Sequence, residues 1–315
     1  MTDVDGRTRH YGQFYGVPDC DDAGDDRPLW VVHGNCQAEA LRVLLDAGAR
    51  PYGYRTVRIP PVHELNHDDL VHLRELVSQA AVLISQPVRE DYRDLPLGTA
   101  QLAGWLPPGA VVLRWPVVRY SGLFPYQVII RHPVDGSADP PVVPYHDLRT
   151  VAAALGSGPL RPLHASSAPA SVYREVAATS VAELARREAA SADVTVSDVL
   201  AAAGAEALHT INHPGNVVLR ELAARVLASL GAPGAVADPG RDLLGGIRAP
   251  LSQQVLDALG LSGPARPNWL VHGEVVDPEQ VHQVQGAFYR ADPRWLQAAL
   301  NRHGELLDQL GLRGG

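Results

Sequence analysis

Four short apolar runs organise the first 120 residues, and three of them lead into segments whose apolar positions recur every three or four residues. Leu29-Trp30-Val31-Val32 runs into Ala38, Leu41, Leu44 and Leu45. Residues 54–59 alternate β-branched and basic positions and stop at Pro60-Pro61, ahead of Leu70, Leu73, Leu76 and Val77 inside 68–79. Residues 81–85 form a third run, closed by Gln86-Pro87, before a short helical stretch over 98–105. Residues 110–115 form the fourth, closed by Pro116. Strands alternating with helices predict a small, mostly parallel sheet with helices on its faces. In such sheets ligands sit beyond the carboxyl ends of the strands. Cys36, Gln86 and Pro116 all fall at such ends.

The pattern changes after about residue 120. A strand is expected within 124–131 and a helix over 145–155. Helical periodicity then dominates, roughly over 171–191, 195–203, 215–230, 250–258, 278–289 and 292–309, so the C-terminal half is helix-rich. Stretches rich in Gly and Pro, 134–144, 156–171 and 231–249, read as loops. Three parts are expected: a flexible leader over 1–27, a catalytic core over 28–230, and a helical extension over 231–315 that packs on the core.

Composition narrows the function. Of 315 residues, 46% are hydrophobic and 20% charged, enough for a real core. The net charge of −8 argues against nucleic-acid binding driven by bulk charge. No window is apolar enough to span a bilayer, and the polar opening residues do not resemble a secretory signal. Two cysteines, Cys20 and Cys36, make no disulfide framework, so a cytoplasmic setting is expected. All 27 basic residues are arginine, which excludes lysine chemistry such as a Schiff base. The first turn carries no Gly-x-Gly-x-x-Gly, and no Cys/His spacing suggests a metal.

Candidate chemistry begins at His33-Gly34-Asn35-Cys36-Gln37, where a strand turns into a helix. A helix N-terminus offers free N–H groups and partial positive charge, which favour a thiolate and can hold an oxyanion. Cys36 is therefore the candidate nucleophile; a buried structural cysteine is the competing reading. Its base would be a histidine. Among 13 histidines, His213 stands out on a sharp loop before the helical pattern of 217–227. His63, after the second strand, is the rival base or a substrate contact. Gln86 could donate to an oxyanion beside the Cys36 N–H, while Asn35 shapes the turn and Gln37 caps the helix. Arg89, Arg114 and Arg119 follow strand ends, where guanidinium suits phosphate. Tyr92, Trp115 and Tyr120 could stack on a sugar or on adenine.

The ordered set Gly34-Asn35-Cys36-Gln37, Ser85-Gln86-Pro87, Tyr145-His146-Asp147 and Asn212-His213-Pro214 resembles the WcbI family of capsule polysaccharide biosynthesis, from about residue 29 to about residue 230. The resemblance implies a helix-rich α/β architecture distantly like the SGNH esterases. It also implies coenzyme A as acyl-donor cosubstrate, no metal, and transfer to a sugar hydroxyl. Cys36 matches the nucleophile position of that wider group and His213 its histidine. One departure is clear: three residues before His213, where the esterase pattern has Asp, this chain has Thr210. The expectation is a Cys36–His213 acyltransferase, with Gln86 assisting. Asn35, Gln37, His63, Arg89, Tyr92, Arg114 and Asn212 are expected to contact substrate. The acceptor would be a hydroxyl or amine of a saccharide or other small molecule. A thioesterase on the same residues, or a non-catalytic binding protein, are the alternatives.

Overall fold

The structure is a computed structural model and describes residues 5–17 and 25–313, for 48–52 the backbone alone. Cys20 lies outside the described residues. The chain forms two compact units: 1–118 with 183–203 and 214–244, and 119–182 with 204–213 and 245–315. These units interleave along the chain, whereas the expected parts are consecutive and break at 230.

In the first unit, helix α1 (Gly6–His10) precedes strand β1 (Leu29–His33), helix α2 (Cys36–Tyr52), strand β2 (Arg55–Thr56) and helix α3 (Leu70–Val77). Strand β3 (Ala80–Ser85), helix α4 (Thr99–Ala103) and strand β4 (Val111–Arg114) follow. The sheet is parallel throughout, in the order β2-β1-β3-β4. Every residue of β1 is buried, as expected of a strand covered on both faces. On one side Val31 and Leu83 join Leu73, Val77, Leu97 and Leu102. Helix α2 lies against helix α8 (Asn216–Ser229), whose Leu219, Leu222 and Val226 are buried. The second strand is shorter than its alternation suggests: only Arg55 and Thr56 pair with β1.

The leader departs from expectation within its described part. Tyr11 and Phe14 are buried in the core cluster, and the Arg7 guanidinium bonds Asp69. Residues 5–17 are thus a packed element of this unit. Apolar burial and a bidentate pair offset the entropy that would otherwise keep a Gly- and Asp-rich segment loose.

The second unit holds strands β5 (Gln127–Val128) and β6 (His146–Asp147), helix α5 (Leu148–Leu155) and the start of helix α6 (Ala170–Ser191). The rest of α6 and the short α7 (Leu200–Ala203) belong to the first unit. Strand β7 (Leu208–Thr210) and the two-residue β8 (His213–Pro214) come next in the chain. After α8 the second unit resumes with strand β9 (Ile247–Arg248), helix α9 (Gln253–Leu259) and strands β10 (Trp269–Val271) and β11 (Glu274–Val276). Helices α10 (Pro278–Ala291) and α11 (Arg294–Gln309) close it. Helices α5, α10 and α11 pack on one another. The antiparallel sheet β11-β10-β9 was missed by periodicity reading, since strands of two and three residues carry too few positions to show a period.

Candidate active site

The turn that presents Cys36 is braced by amides from three segments. Asn35 precedes the first helical residue, and its Oδ1 accepts the Gln37 N–H at 2.9 Å. The Asn35 N–H donates to Gln86 Oε1 at 2.9 Å. The Gln86 amide donates in turn to Gln37 Oε1 at 3.3 Å, and Gln37 exchanges bonds of 2.8 and 3.0 Å with the backbone of Val118. Pairing of β1 with β3 brings Gln86 to this place, one residue past the Ser85 that faces His33. A Cβ on Gly34 would lie 2.5 Å from Gln86 Oε1, so glycine is required there. The Val62 N–H, bonded at 2.7 Å to the Gly34 carbonyl, ties the loop after β2 to the same turn.

Gln37 is fully buried and Gln86 is 2% exposed. Both amides are hydrogen-bonded inside the protein, where Gln86 braces the turn.

The state of the thiol differs from expectation. Burial pushes Cys36 up to about 11, although the backbone N–H groups of Cys36 and Gln37 pull it down. Glu64 adds to the rise by like-charge repulsion. The helix terminus therefore supplies the expected donors, but desolvation outweighs them and the resting group is a thiol. Glu64 went unnoticed in the sequence. It is held by the leader, with the Tyr11 hydroxyl at 3.4 Å from its carboxylate and Arg7 at 2.9 Å from its carbonyl. An acidic residue beside His63 gives no sequence signal that it acts on a cysteine 28 positions away.

His213 belongs to the second unit. Burial pushes it down to about 4, so it is neutral near pH 7. The loop that carries it is pinned by backbone bonds from Tyr120 to the Ile211 carbonyl and from Ala249 to the His209 carbonyl. Asn212 Oδ1 accepts the Tyr145 hydroxyl at 2.9 Å, and the Tyr145 ring stands edge-on to His213 at 6.2 Å. Asn212 is thus engaged in holding this loop. Asp147 caps α5 by accepting the Arg149 N–H and is paired with the Arg149 guanidinium at 2.7 Å. It is no carboxylate in reserve for the histidine.

Several other expected contacts have structural jobs. Arg114 makes a two-armed ion pair with Asp193, with bonds of 2.8 and 3.2 Å, so its guanidinium is already occupied. Tyr92 packs against the core cluster of the first unit. Trp115 is fully buried and Tyr120 nearly so, which removes them as stacking platforms. His63 stays partly exposed near Glu64, and Arg89 is exposed beyond β3. The second unit also contains a cavity of about 360 Å³ whose walls include Tyr126, Gln127, Tyr145, Arg149, Trp269 and His282. Among the described residues no cluster could hold a metal ion, and no helix is long and apolar enough to cross a membrane.

A parallel four-stranded sheet flanked by helices, whose first strand leads to a cysteine at a helix N-terminus, makes this an α/β protein. The family model described as polysaccharide biosynthesis enzyme WcbI matches residues 29–235, and the chain belongs to that family. A solved structure of WcbI, described as a novel polysaccharide biosynthesis enzyme, superposes with a TM-score of 0.73 at 21% sequence identity. The match covers 91% of this chain and 99% of that one. That structure is described as the native protein without a disulfide bond between coenzyme A and one of its cysteines. No curated protein matches the chain.

Proposed function

We propose that this polysaccharide biosynthesis enzyme is a cysteine-dependent acyltransferase. It would move an acyl group from a coenzyme A thioester to a hydroxyl or amine of a saccharide or related small molecule. The observation that carries the reading is Cys36 at the first turn of α2, with the N–H groups of Cys36 and Gln37 acting on its sulfur. The description of the related structure, which names coenzyme A together with a cysteine, supports the donor.

At rest Cys36 is a thiol and His213 a neutral imidazole, and because burial disfavours the charged form of both, the proton moves only as the new bond to Sγ forms. As Sγ attacks the thioester carbonyl, the thiol proton passes to His213 Nε2 or Nδ1. The carbon–sulfur bond to coenzyme A then breaks, and its leaving sulfur collects that proton. An acceptor hydroxyl next attacks the acyl-cysteine and gives its proton to His213. That proton returns to Cys36 as the sulfur leaves. In both halves the carbonyl oxygen becomes an oxyanion, for which the Cys36 N–H is the proposed donor. With no lysine in the chain, arginine is the side chain left to pair with the donor's phosphates by fixed charge; Arg89, exposed beyond the end of β3, is the candidate.

Initial rates test this with acetyl-coenzyme A as donor and a panel of neutral and acidic monosaccharides as acceptors. Parallel double-reciprocal lines, with turnover lost in Cys36→Ala, support the two-step route. Converging lines would replace it with direct transfer in a ternary complex. Release of coenzyme A at one rate whatever the acceptor would make the protein a thioesterase. No release at all would leave a binding protein.

A further inference from the structure

A buried cluster of hydroxyl and amide groups surrounds Thr210, three residues before His213. Thr210 is fully buried, and its Oγ1 donates to the Tyr145 hydroxyl at 2.9 Å. The Tyr145 hydroxyl donates to Asn212 Oδ1 at 2.9 Å, and Thr210 Oγ1 also lies 3.2 Å from that oxygen. The Tyr145 ring is fixed by stacking on Trp269, with centroids 5.9 Å apart and planes at 19°. Its edge meets the His213 ring at 89°. Tyr145 comes from the segment just before β6, 65 residues from Thr210, so this closure is a product of the fold and not of the loop alone.

We propose that Tyr145, Thr210 and Asn212 form one neutral positioning unit for His213, doing with hydroxyl groups the orienting work of a triad carboxylate. A carboxylate at position 210 would face the Asn212 carbonyl oxygen in a site with no exposure, so the loop is built to exclude charge. An acidic partner holds its histidine by charge and raises its basicity. Here the ring is held by packing and by a loop whose turn is closed from within. The histidine then rests neutral in a fixed orientation, the state from which the proton path proposed above, on which this inference rests, begins. Tyr145 and Thr210 are positioning residues: neither is assigned a bond to substrate.

Loss of either hydroxyl should leave the fold standing. When Tyr145 becomes Phe, Thr210 keeps Asn212 Oδ1 as acceptor; when Thr210 becomes Val, Tyr145 keeps the same oxygen. The test measures coenzyme A release from acetyl-coenzyme A, with water standing in for the acceptor, in the full-length protein. Tyr145→Phe and Thr210→Val are each expected to lower kcat about ten-fold, with KM for the donor within about two-fold and the melting temperature within a few degrees. The double variant should also lose only about ten-fold, because the two act as one unit. Thr210→Ser, which keeps the hydroxyl, should recover activity to within about two-fold. Single variants at wild-type rates in a protein that His213→Ala silences would overturn the positioning unit and leave the acyltransferase reading intact. Losses that multiply to about a hundred-fold in the double variant would overturn it as well. A wild-type rate in His213→Ala would end both readings together.

Discussion

The turn around Cys36 and the loop around His213 are built on opposite plans. The first is a strand-to-helix turn whose Asn35 and Gln37 N–H groups donate to the side chains of Gln86 and Asn35, while the Gln37 side chain ties Gln86 to the backbone of Val118. The second is the tight connection between the paired strands β7 and β8, closed by hydroxyls of Tyr145 and Thr210 on the Asn212 amide. In each, the groups that hold the turn are neutral. The two residues rest uncharged for the same reason, since burial disfavours the thiolate of Cys36 and the imidazolium of His213 alike. The lesson is that at these two sites burial sets the resting protonation state and neutral hydrogen bonds fix the geometry.

The comparison is broken most severely at the histidine. His213→Ala should reduce coenzyme A release by ~10³-fold or more if the residue is the base, while circular dichroism and the melting temperature stay near wild type. Activity within about ten-fold of wild type would remove His213 from the mechanism.

Gln86→Ala sharpens the contrast between brace and catalyst. The Asn35 N–H would lose its acceptor, a buried unsatisfied donor that costs about 1–3 kcal/mol, so the urea midpoint should fall clearly. An oxyanion donor would behave otherwise, with kcat down ~10²–10³-fold and stability untouched. That second pattern would return Gln86 to the catalytic role suggested by its position after β3.

Reactivity against pH tests the shared neutral state. A thiol near 11 is protonated at pH 7, and its thiolate fraction rises about tenfold per pH unit until that value is reached. Alkylation of Cys36 by iodoacetamide should therefore keep accelerating from pH 7 to pH 10. A plateau by pH 7 would mean an ion pair instead. On the acid side, His33 and His213 sit at about 4 and His146 at about 3, all lowered by burial from an ordinary value of 6.5. The unfolded chain binds protons at these positions before the folded one does. Stability is thus complete above about pH 6.5 and falls as the pH drops towards 4. A melting temperature that is flat between pH 7 and pH 4 would contradict this.

The smallest effect is expected at Arg114→Ala. Exposed pairs of this kind contribute ~0.2–1 kcal/mol after solvent screening, and KM for acetyl-coenzyme A should move less than about two-fold. A rise of tenfold or more in KM would show that the guanidinium leaves Asp193 for the donor's phosphates.

How much of this was legible in the sequence differs between the two regions as their construction does. β1 and α2 are contiguous and strongly periodic, so Leu29–Val32, the glycine turn and Cys36 could be placed from local pattern. The amide grip could not, because it depends on β3 lying beside β1 and on Val118 reaching Gln37 across 81 residues. At the second region, Thr210 was visible only as a missing carboxylate. Its replacement by Tyr145 needs the three-dimensional closure of two distant segments. Charge misled the reading where surface arginines invited phosphate, since Asp193 approaches Arg114 from 79 residues away. The thiol misled it too: a helix terminus can be read from sequence, whereas the burial that opposes it cannot.

The central claim is that Cys36 carries the acyl group between donor and acceptor. Mixing the protein with acetyl-coenzyme A, quenching in acid within the first turnovers and mapping peptides by mass reads that directly. The account predicts an acetyl group on Cys36 that disappears when a saccharide acceptor is added and never forms in Cys36→Ala. Turnover in which Cys36 stays unmodified at every time point, or an acetyl group found on another residue, would contradict it.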